Sequence, residues 1–186
     1  MSTNHSRRRF EVSSARLAYL VEKFQRERLP KWSKELRFFR RATREVALEH
    51  AGFAKGENGK RFRHQNRIPR LALTKAMRRL RRIEKQLVRI KTFDKLHDLI
   101  DQTVRSIDGI GELYVYDTAL RLGAQLRLKP RRVYLHAGPR EGARILRVPD
   151  YLSKHVVKRK LRPELHKLPA AAIEHFLCSM RREFHG

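Results

Sequence analysis

Apolar residues recur three and four positions apart along most of the chain, which is the spacing of an amphipathic helix. The strongest repeat covers residues 70–91, and its apolar face consists of Leu73, Met77, Leu80, Ile83, Leu87 and Ile90. Similar repeats predict helices from Ser14 to about Pro30, from Ser33 to Gly52, and over 93–107, 113–123, 151–160 and 169–184. The pattern therefore predicts an all-α fold of about six to eight helices with at most a token strand.

The length and apolar content of the chain favour one compact helical domain over residues 14–186. A chain of 186 residues is within the range of a single domain, and 40% apolar residues suffice for a core. Residues 1–13 are polar and basic, and we expect them to be flexible. Residues 52–69 contain three glycines and no periodicity, so we expect an exposed loop there.

The charge of the chain indicates its partner more strongly than any motif does. Lys and Arg number 45 against 19 Asp and Glu, a formal net charge of +26. Such a surplus repels itself unless a polyanion is bound, and nucleic acid is the usual one, whereas an acidic membrane surface is less common. The only cysteine, Cys178, excludes an internal disulfide and any cysteine-based zinc or iron–sulfur site. We expect no cofactor.

No apolar run approaches the length of a membrane span. No apolar segment follows Arg7-Arg8-Arg9, as a secretory signal would require. The Ser and Arg content of the start would also suit a transit peptide, but Glu11 and Glu22 are unusual in one. We therefore expect a cytoplasmic protein without a membrane partner.

The positive charge is concentrated between residues 60 and 91, which hold thirteen Lys or Arg and one acid, Glu84. Like charges four apart destabilise a helix, so a structural helix normally mixes signs. The basic loop 52–69 and the basic helix 70–91 therefore favour an anion-binding face over a merely solvated one. The candidate phosphate contacts in them are Lys60, Arg61, Arg63, Arg67, Arg70, Lys75, Arg78, Arg81, Arg82, Lys85 and Arg89.

The stretch Ser106–Leu113 joins two predicted helices through Gly109, Ile110 and Gly111. Both glycines are expected to take positive φ, which would allow a very tight turn. The second helix would then begin with free backbone N–H groups, and such a helix start attracts an anion, most readily a phosphate.

Residues 93–122 resemble the helix-hairpin-helix motif, whose core is Gly–apolar–Gly between two short helices. The resemblance implies that the hairpin binds one nucleic-acid backbone without reading sequence, and it assigns binding to Gly109, Ile110, Gly111 and Leu113. The residue after the second glycine is often polar or basic in that family, but here it is Glu112. The alternative is a hairpin that only packs the core.

Three weaker signals concern other kinds of site. Residues 136–143 contain Gly138 and Pro139 before a predicted helix, so Arg131, Arg132 and Arg140 would border a second phosphate site. The set Asp94, His97, Asp98 and Asp101 lies on one helix face, where it either holds a divalent metal or pairs with cations; we expect ion pairs and no metal. The loop residues His64-Gln65-Asn66 resemble a nuclease loop but have no supporting carboxylate pair nearby in sequence.

The sequence favours a protein that binds the nucleic-acid backbone without strong sequence specificity. Duplex DNA is the expected partner, because few aromatic residues accompany the cations, and RNA is the alternative. A second hypothesis is a base-excision DNA glycosylase, since that superfamily also carries the hairpin. It is weakened because residues 118–149 lack the aspartate expected one helix beyond. A third is an interaction protein with a dedicated macromolecular partner.

Overall fold

A computed structural model describes residues 11–185, so most of the predicted flexible N-terminus lies outside the described residues. The helices of this part are α1 (Ser14–Glu27), α2 (Leu29–Arg41), α3 (Arg44–Gly52), α4 (Arg70–Arg82), α5 (Glu84–Leu87), α6 (Phe93–Val104), α7 (Glu112–Gln125), α8 (Ala137–Ile145) and α9 (Ala170–Ser179). Two strands, β1 (Arg132–Tyr134) and β2 (His155–Val157), pair antiparallel. Short 3-10 turns cover Arg63–Gln65, Lys158–Lys160, Pro163–Lys167 and Arg181–His185. The prediction of a mostly helical protein is confirmed, and the described residues contain nine α-helices rather than six to eight.

Two predicted helices are divided in the structure. The prediction of one helix from Ser33 to Gly52 is wrong in its start and in its continuity. Ser33 lies inside α2 instead of capping a helix, and the helical backbone is interrupted between α2 and α3. Ala42 ends α2, and Thr43 caps α3, because its Oγ1 accepts a hydrogen bond from the amide of Val46 at 3.4 Å. The basic helix 70–91 ends at Arg82, and Ile83 separates it from the short α5.

The helix predicted over residues 151–160 is also wrong. Its central part is β2, in which Val156 is buried between two half-buried neighbours. That alternation has the period of a strand, and β-branched valines favour an extended backbone. Val156 pairs with Val133 of β1.

The buried residues form two hydrophobic clusters. The first cluster fills the space between α2, α3, α4, α6 and α7, and the second lies between α1, α8, α9 and the sheet. Trp32 of α2 packs against both. Val12, two residues before α1, is buried in the second cluster, and Ser13 caps α1 through a hydrogen bond from the Arg16 amide. No helix within residues 11–185 is long and apolar enough to cross a membrane.

Candidate nucleic-acid interface

The α6–α7 connection is a tight turn over Ile107–Ile110. The amide of Ile110 donates to the carbonyl of Ile107 at 3.0 Å, and Gly109 has φ of +82°. Glycine at this position is required by the backbone of such a turn. Gly111 is different: its φ of −107° and ψ of 178° are extended, so the expectation of positive φ at both glycines is wrong for Gly111.

The two glycines also face different surroundings. A Cβ on Gly109 would lie 3.0 Å from Cδ of Pro69, whereas a Cβ on Gly111 would meet nothing within 4 Å. Ile110 is buried, and its side chain therefore packs the turn instead of meeting a ligand. Gly111 precedes α7 without a side-chain cap, and Leu113 is half-buried in the first turn. The open approach to the helix start is thus over Gly111.

The hairpin lies directly against the basic segment. Pro69, which lies beside Gly109 in space, is the last residue of the basic loop and directly precedes Arg70, the first residue of α4. Farther along α4, Arg79 Nη1 donates to the carbonyl of Thr103 at 3.1 Å and to Ser106 Oγ at 2.7 Å. These contacts fix α4 beside the end of α6, so the basic segment and the hairpin are neighbours in the fold.

The cations of this surface have no acidic partners. None of the thirteen Lys or Arg between residues 60 and 91 forms an ion pair with a carboxylate of residues 11–185. Ten of the predicted residues are exposed, and we call them the basic surface: Lys60, Arg63, Arg67, Arg70, Lys75, Arg78, Arg81, Arg82, Lys85 and Arg89. Two of these cations, Lys85 and Arg89, are exposed although α4 ends before them at Arg82.

Arg61 has a different role from the one predicted. Its Nη2 donates to the carbonyls of Gln65 at 2.7 Å and Ile68 at 2.6 Å. The side chain is half-buried and holds the loop in shape. Arg61 is therefore a structural residue of the loop, and we remove it from the candidate phosphate contacts.

The predicted second phosphate site at the start of α8 is not supported by its glycine. A Cβ on Gly138 would lie 2.5 Å from Sγ of Cys178, so this glycine allows α8 to pack on α9 and does not open a path for an anion. Arg131 is exposed, while Arg132 lies 3.8 Å from Asp94 and Arg140 lies 3.5 Å from Glu112.

Glu112 is held by two arginines at the hairpin. Its carboxylate lies 3.5 Å from Arg105 of the turn and 3.5 Å from Arg140 of α8. A carboxylate in the first turn of a helix is favoured by the helix dipole, and here it also occupies two guanidinium groups. A phosphate approaching the start of α7 would compete with Glu112 for both.

The acids on α6 pair with neighbouring groups. Asp94 accepts a hydrogen bond from Tyr134 Oη at 2.7 Å, Asp98 from Lys154 Nζ at 2.7 Å, and Asp101 lies 3.8 Å from Arg105. His97 is buried and stacks near Tyr134. The acids of this helix face therefore bind neighbouring side chains, as the ion-pair interpretation of the four residues expected. Within residues 11–185, no group of three potential ligands is arranged to hold a metal.

The structure also contains a cleft that the sequence did not predict. It has a volume of about 680 Å³ and lies between the two hydrophobic clusters, with walls from the end of α1, from α2, α7 and α9, and from the basic loop. Its polar lining includes the carboxylates Glu27, Glu35, Asp117 and Glu174 and the imidazoles His64, His136 and His175. A volume of this size is typical of small-molecule sites, which often lie between packed units.

Asp117 of α7 is the centre of the polar cluster in this cleft. Its Oδ2 lies 2.8 Å from Nε2 of His64, 2.7 Å from Nε2 of Gln65 and 3.3 Å from Nη2 of Arg121. Burial alone would raise the pKa of Asp117, but Arg121 and His64 outweigh it and lower that pKa below its usual range. Arg121 also bonds Glu35 at 3.2 Å. Asp117 is therefore a fixed anion in the cleft wall.

Glu174 of α9 and His136, the residue before α8, form a second pair at 2.8 Å, and both are buried. Burial raises the pKa of Glu174, and it would lower that of His136, but the hydrogen bond to Glu174 raises the pKa of His136 instead. His175, the next residue, stacks on Trp32 with the rings 10° from parallel and their centroids 5.6 Å apart. Burial lowers the pKa of His175 to about 4, so its ring is neutral at physiological pH.

Parts of this cluster were visible in the sequence. Asp117 and Arg121 are four residues apart, which is the spacing of an ion pair on a helix, and they form one in α7. The loop residues His64 and Gln65 bind the same carboxylate. Glu174 within an otherwise apolar repeat was the remaining signal, because a buried carboxylate requires a partner.

Comparison with protein-family models, with curated proteins and with solved structures found no match for this chain.

Proposed function

We propose that this protein binds the sugar–phosphate backbone of duplex nucleic acid, with DNA as the preferred partner. The observation that carries the proposal is the basic surface, whose ten exposed cations have no carboxylate partner within residues 11–185. Unpaired cations in close proximity repel one another, and a phosphate backbone removes that repulsion while releasing its own counterions.

The hairpin adds a directional element to this surface. Gly111 leaves the start of α7 open, and the helix receives no side-chain cap there. The uncapped amides and the helix dipole suit a phosphate. This is the function that the resemblance to the helix-hairpin-helix motif implies, and the position of Pro69 against Gly109 makes the hairpin continuous with the basic surface.

Contacts to phosphates position a protein but do not specify a sequence. The basic surface consists of long cationic side chains. The two phenylalanines of the basic loop, Phe53 and Phe62, are only half-exposed, and the Phe62 ring centroid lies 3.8 Å from the Arg121 guanidinium. No row of exposed rings accompanies the described cations, which favours a duplex over a single strand. We therefore propose binding with little sequence preference.

The test is the salt dependence of duplex binding by two charge-matched variants. The first replaces Arg78, Arg81, Arg82 and Lys85 of the basic surface with Ala. The control replaces four exposed cations that are already paired with acids, namely Arg26, Arg144, Arg147 and Lys160. Both lose four charges, so any difference between them reports direct contact.

We expect the first variant to bind every duplex sequence more weakly and to lower the slope of log K against log salt by about 3 to 4, since each phosphate contact contributes about 0.9. The control should keep the parental slope. Equal slopes in the two variants would show that the basic surface does not contact phosphate. An RNA duplex of the same sequence, measured in parallel, tests the choice of DNA.

A further inference from the structure

The cleft opens beside the proposed backbone-binding surface. Leu113, two residues after Gly111, lines it from α7, and His64, adjacent to Arg63 of the basic surface, lines it from the loop. A backbone held across Gly111 and Arg63 would therefore run past the cleft entrance. The cleft and the basic surface share two elements, the basic loop and α7.

The electrostatics of the cleft differ from those of the basic surface. Four carboxylates line it against the three cations Arg28, Lys31 and Arg121. Arg28 is paired with Glu183, and Arg121 with Glu35 and Asp117. A phosphate thus finds little attraction inside the cleft, although the chain as a whole carries +26. A neutral ligand with many hydrogen-bonding groups suits this lining better.

The cleft also offers flat apolar surface and free hydrogen-bonding atoms. The parallel rings of Trp32 and His175 both line it. Neither ring nitrogen of His175 bonds a residue of the described chain. Ser179 is also a lining residue, and its Oγ is buried without a hydrogen-bond partner in residues 11–185. A neutral imidazole supplies one donor and one acceptor, and a hydroxyl supplies both.

From this arrangement we infer that the cleft binds a nucleobase, stacked on the Trp32–His175 pair and hydrogen-bonded to the carboxylate, imidazole and hydroxyl groups around it. The nucleobase could come from either of two sources, a base turned out of a bound strand or a free nucleoside. For the first source, the inference rests on the proposed function. Extruded bases are recognised by this combination of stacking and edge hydrogen bonds. A cleft of about 680 Å³ has room for a nucleoside.

Trp32 is the only tryptophan of the chain, so its fluorescence reports on the surroundings of this one ring. The full-length protein is titrated with each of the common nucleosides, and separately with two end-labelled duplexes. One duplex is fully paired, and the other contains a 2-aminopurine opposite an abasic site, where extrusion is easy. Anisotropy of the end label measures duplex binding independently of Trp32.

We expect saturable quenching of Trp32 by at least one nucleoside or by the duplex with the unpaired base, and a rise in 2-aminopurine emission in the latter case. His175→Leu should weaken this response about tenfold or more, the size of the loss when a base loses a stacking partner. Ser179→Met, which removes the unpartnered hydroxyl and adds bulk at the cleft wall, should weaken the response as well. His185→Leu, at an exposed histidine outside the cleft, is the control and should respond like the parent.

If only nucleosides quench Trp32, the ligand of the cleft is a free nucleoside. If only the duplex with 2-aminopurine opposite an abasic site quenches Trp32, the ligand is a base extruded from a strand. If neither changes Trp32 emission while the duplexes bind by anisotropy, the inference is wrong and the proposed function stands. If the duplexes do not bind but a nucleoside quenches Trp32, the proposed function fails and the cleft assignment survives. A response that persists unchanged in both cleft variants would place the ligand elsewhere and overturn the inference.

Discussion

Substituting the two hairpin glycines separately should distinguish the residue that shapes the turn from the residue that leaves it open. Gly109→Ala puts a Cβ on a backbone with φ of +82°, which costs an L-residue about 1–2 kcal/mol. The same Cβ would lie 3.0 Å from Pro69 Cδ, a ring that cannot rotate away. We expect a loss of about 1–3 kcal/mol in the free energy of unfolding, or roughly 2–10 °C in Tm for a chain of this size.

Gly111→Ala is the matched control, because its backbone is already extended and nothing lies within 4 Å of the new Cβ. Alanine is a poorer helix N-cap than glycine but restricts the unfolded chain, and these opposing effects of about 0.5–1 kcal/mol nearly cancel. Thermal unfolding followed by circular dichroism measures both variants. Equal Tm values for the two would show that Gly109 does not hold the turn described here. Gly111→Val should leave stability near that of the parent but weaken duplex binding, since it covers the open helix start.

Two further predictions concern single charges. Glu112→Lys should tighten duplex binding by about 0.3–1 kcal/mol, or two- to fivefold, because it frees Arg105 and Arg140 for phosphate. It should slightly lower Tm, because it places a cation at the start of α7. Unchanged binding in a fluorescence titration would mean that the hairpin only packs against the core. His175 has a pKa of about 4 in the folded protein and about 6.5 when unfolded, so its contribution to stability is present above pH 6.5 and is lost as the pH falls toward 4. Urea unfolding at pH 7 and pH 5 should show a drop that is about 1–2 kcal/mol larger for the parent than for His175→Gln, and equal drops would contradict a buried neutral ring.

The sequence predicted the helices of the described chain well where an apolar stripe faces one core. The prediction failed where two consecutive helices, α2 and α3, bury apolar residues that continue the same helical spacing. Thr43 lies within the helix predicted from Ser33 to Gly52 but caps α3, because its hydroxyl accepts a hydrogen bond from the Val46 amide. The period of apolar residues alone does not show such an interruption. The strand β2 escaped for a similar reason, since three residues are too few to distinguish period 2 from a helical turn.

The basic surface was predictable because exposure follows from composition: cations without acids nearby in sequence have no place in a core. The cleft was not, because its carboxylates come from α1, α2, α7 and α9, and only folding brings them together. Arg61 shows the limit in the other direction. It is indistinguishable in sequence from its basic neighbours, yet its guanidinium bonds two loop carbonyls and is taken out of the surface.

The basic loop is held in place more firmly than its sequence predicted. The sequence predicted an exposed, irregular loop, and the structure ties it down through Gln65, which is only 1% exposed. The Gln65 amide donates to Asp117 at 2.7 Å and accepts from Arg121 at 3.3 Å. A buried hydrogen-bonding group that loses its partner costs about 1–3 kcal/mol. Gln65→Ala should therefore allow the loop to open locally without unfolding the helices.

Trypsin measures this opening directly, because Lys60, Arg63 and Arg67 are potential cleavage sites inside the loop. When opening is fast relative to cleavage, the cleavage rate follows the population of the open loop. A cost of about 1.4 kcal/mol corresponds to a tenfold increase in cleavage within the loop of Gln65→Ala, followed by mass spectrometry. Asn66→Ala is the control, since the neighbouring amide is exposed. Equal cleavage of the two variants would mean that Gln65 does not anchor the loop, and that the loop wall of the cleft is not held by Asp117 and Arg121.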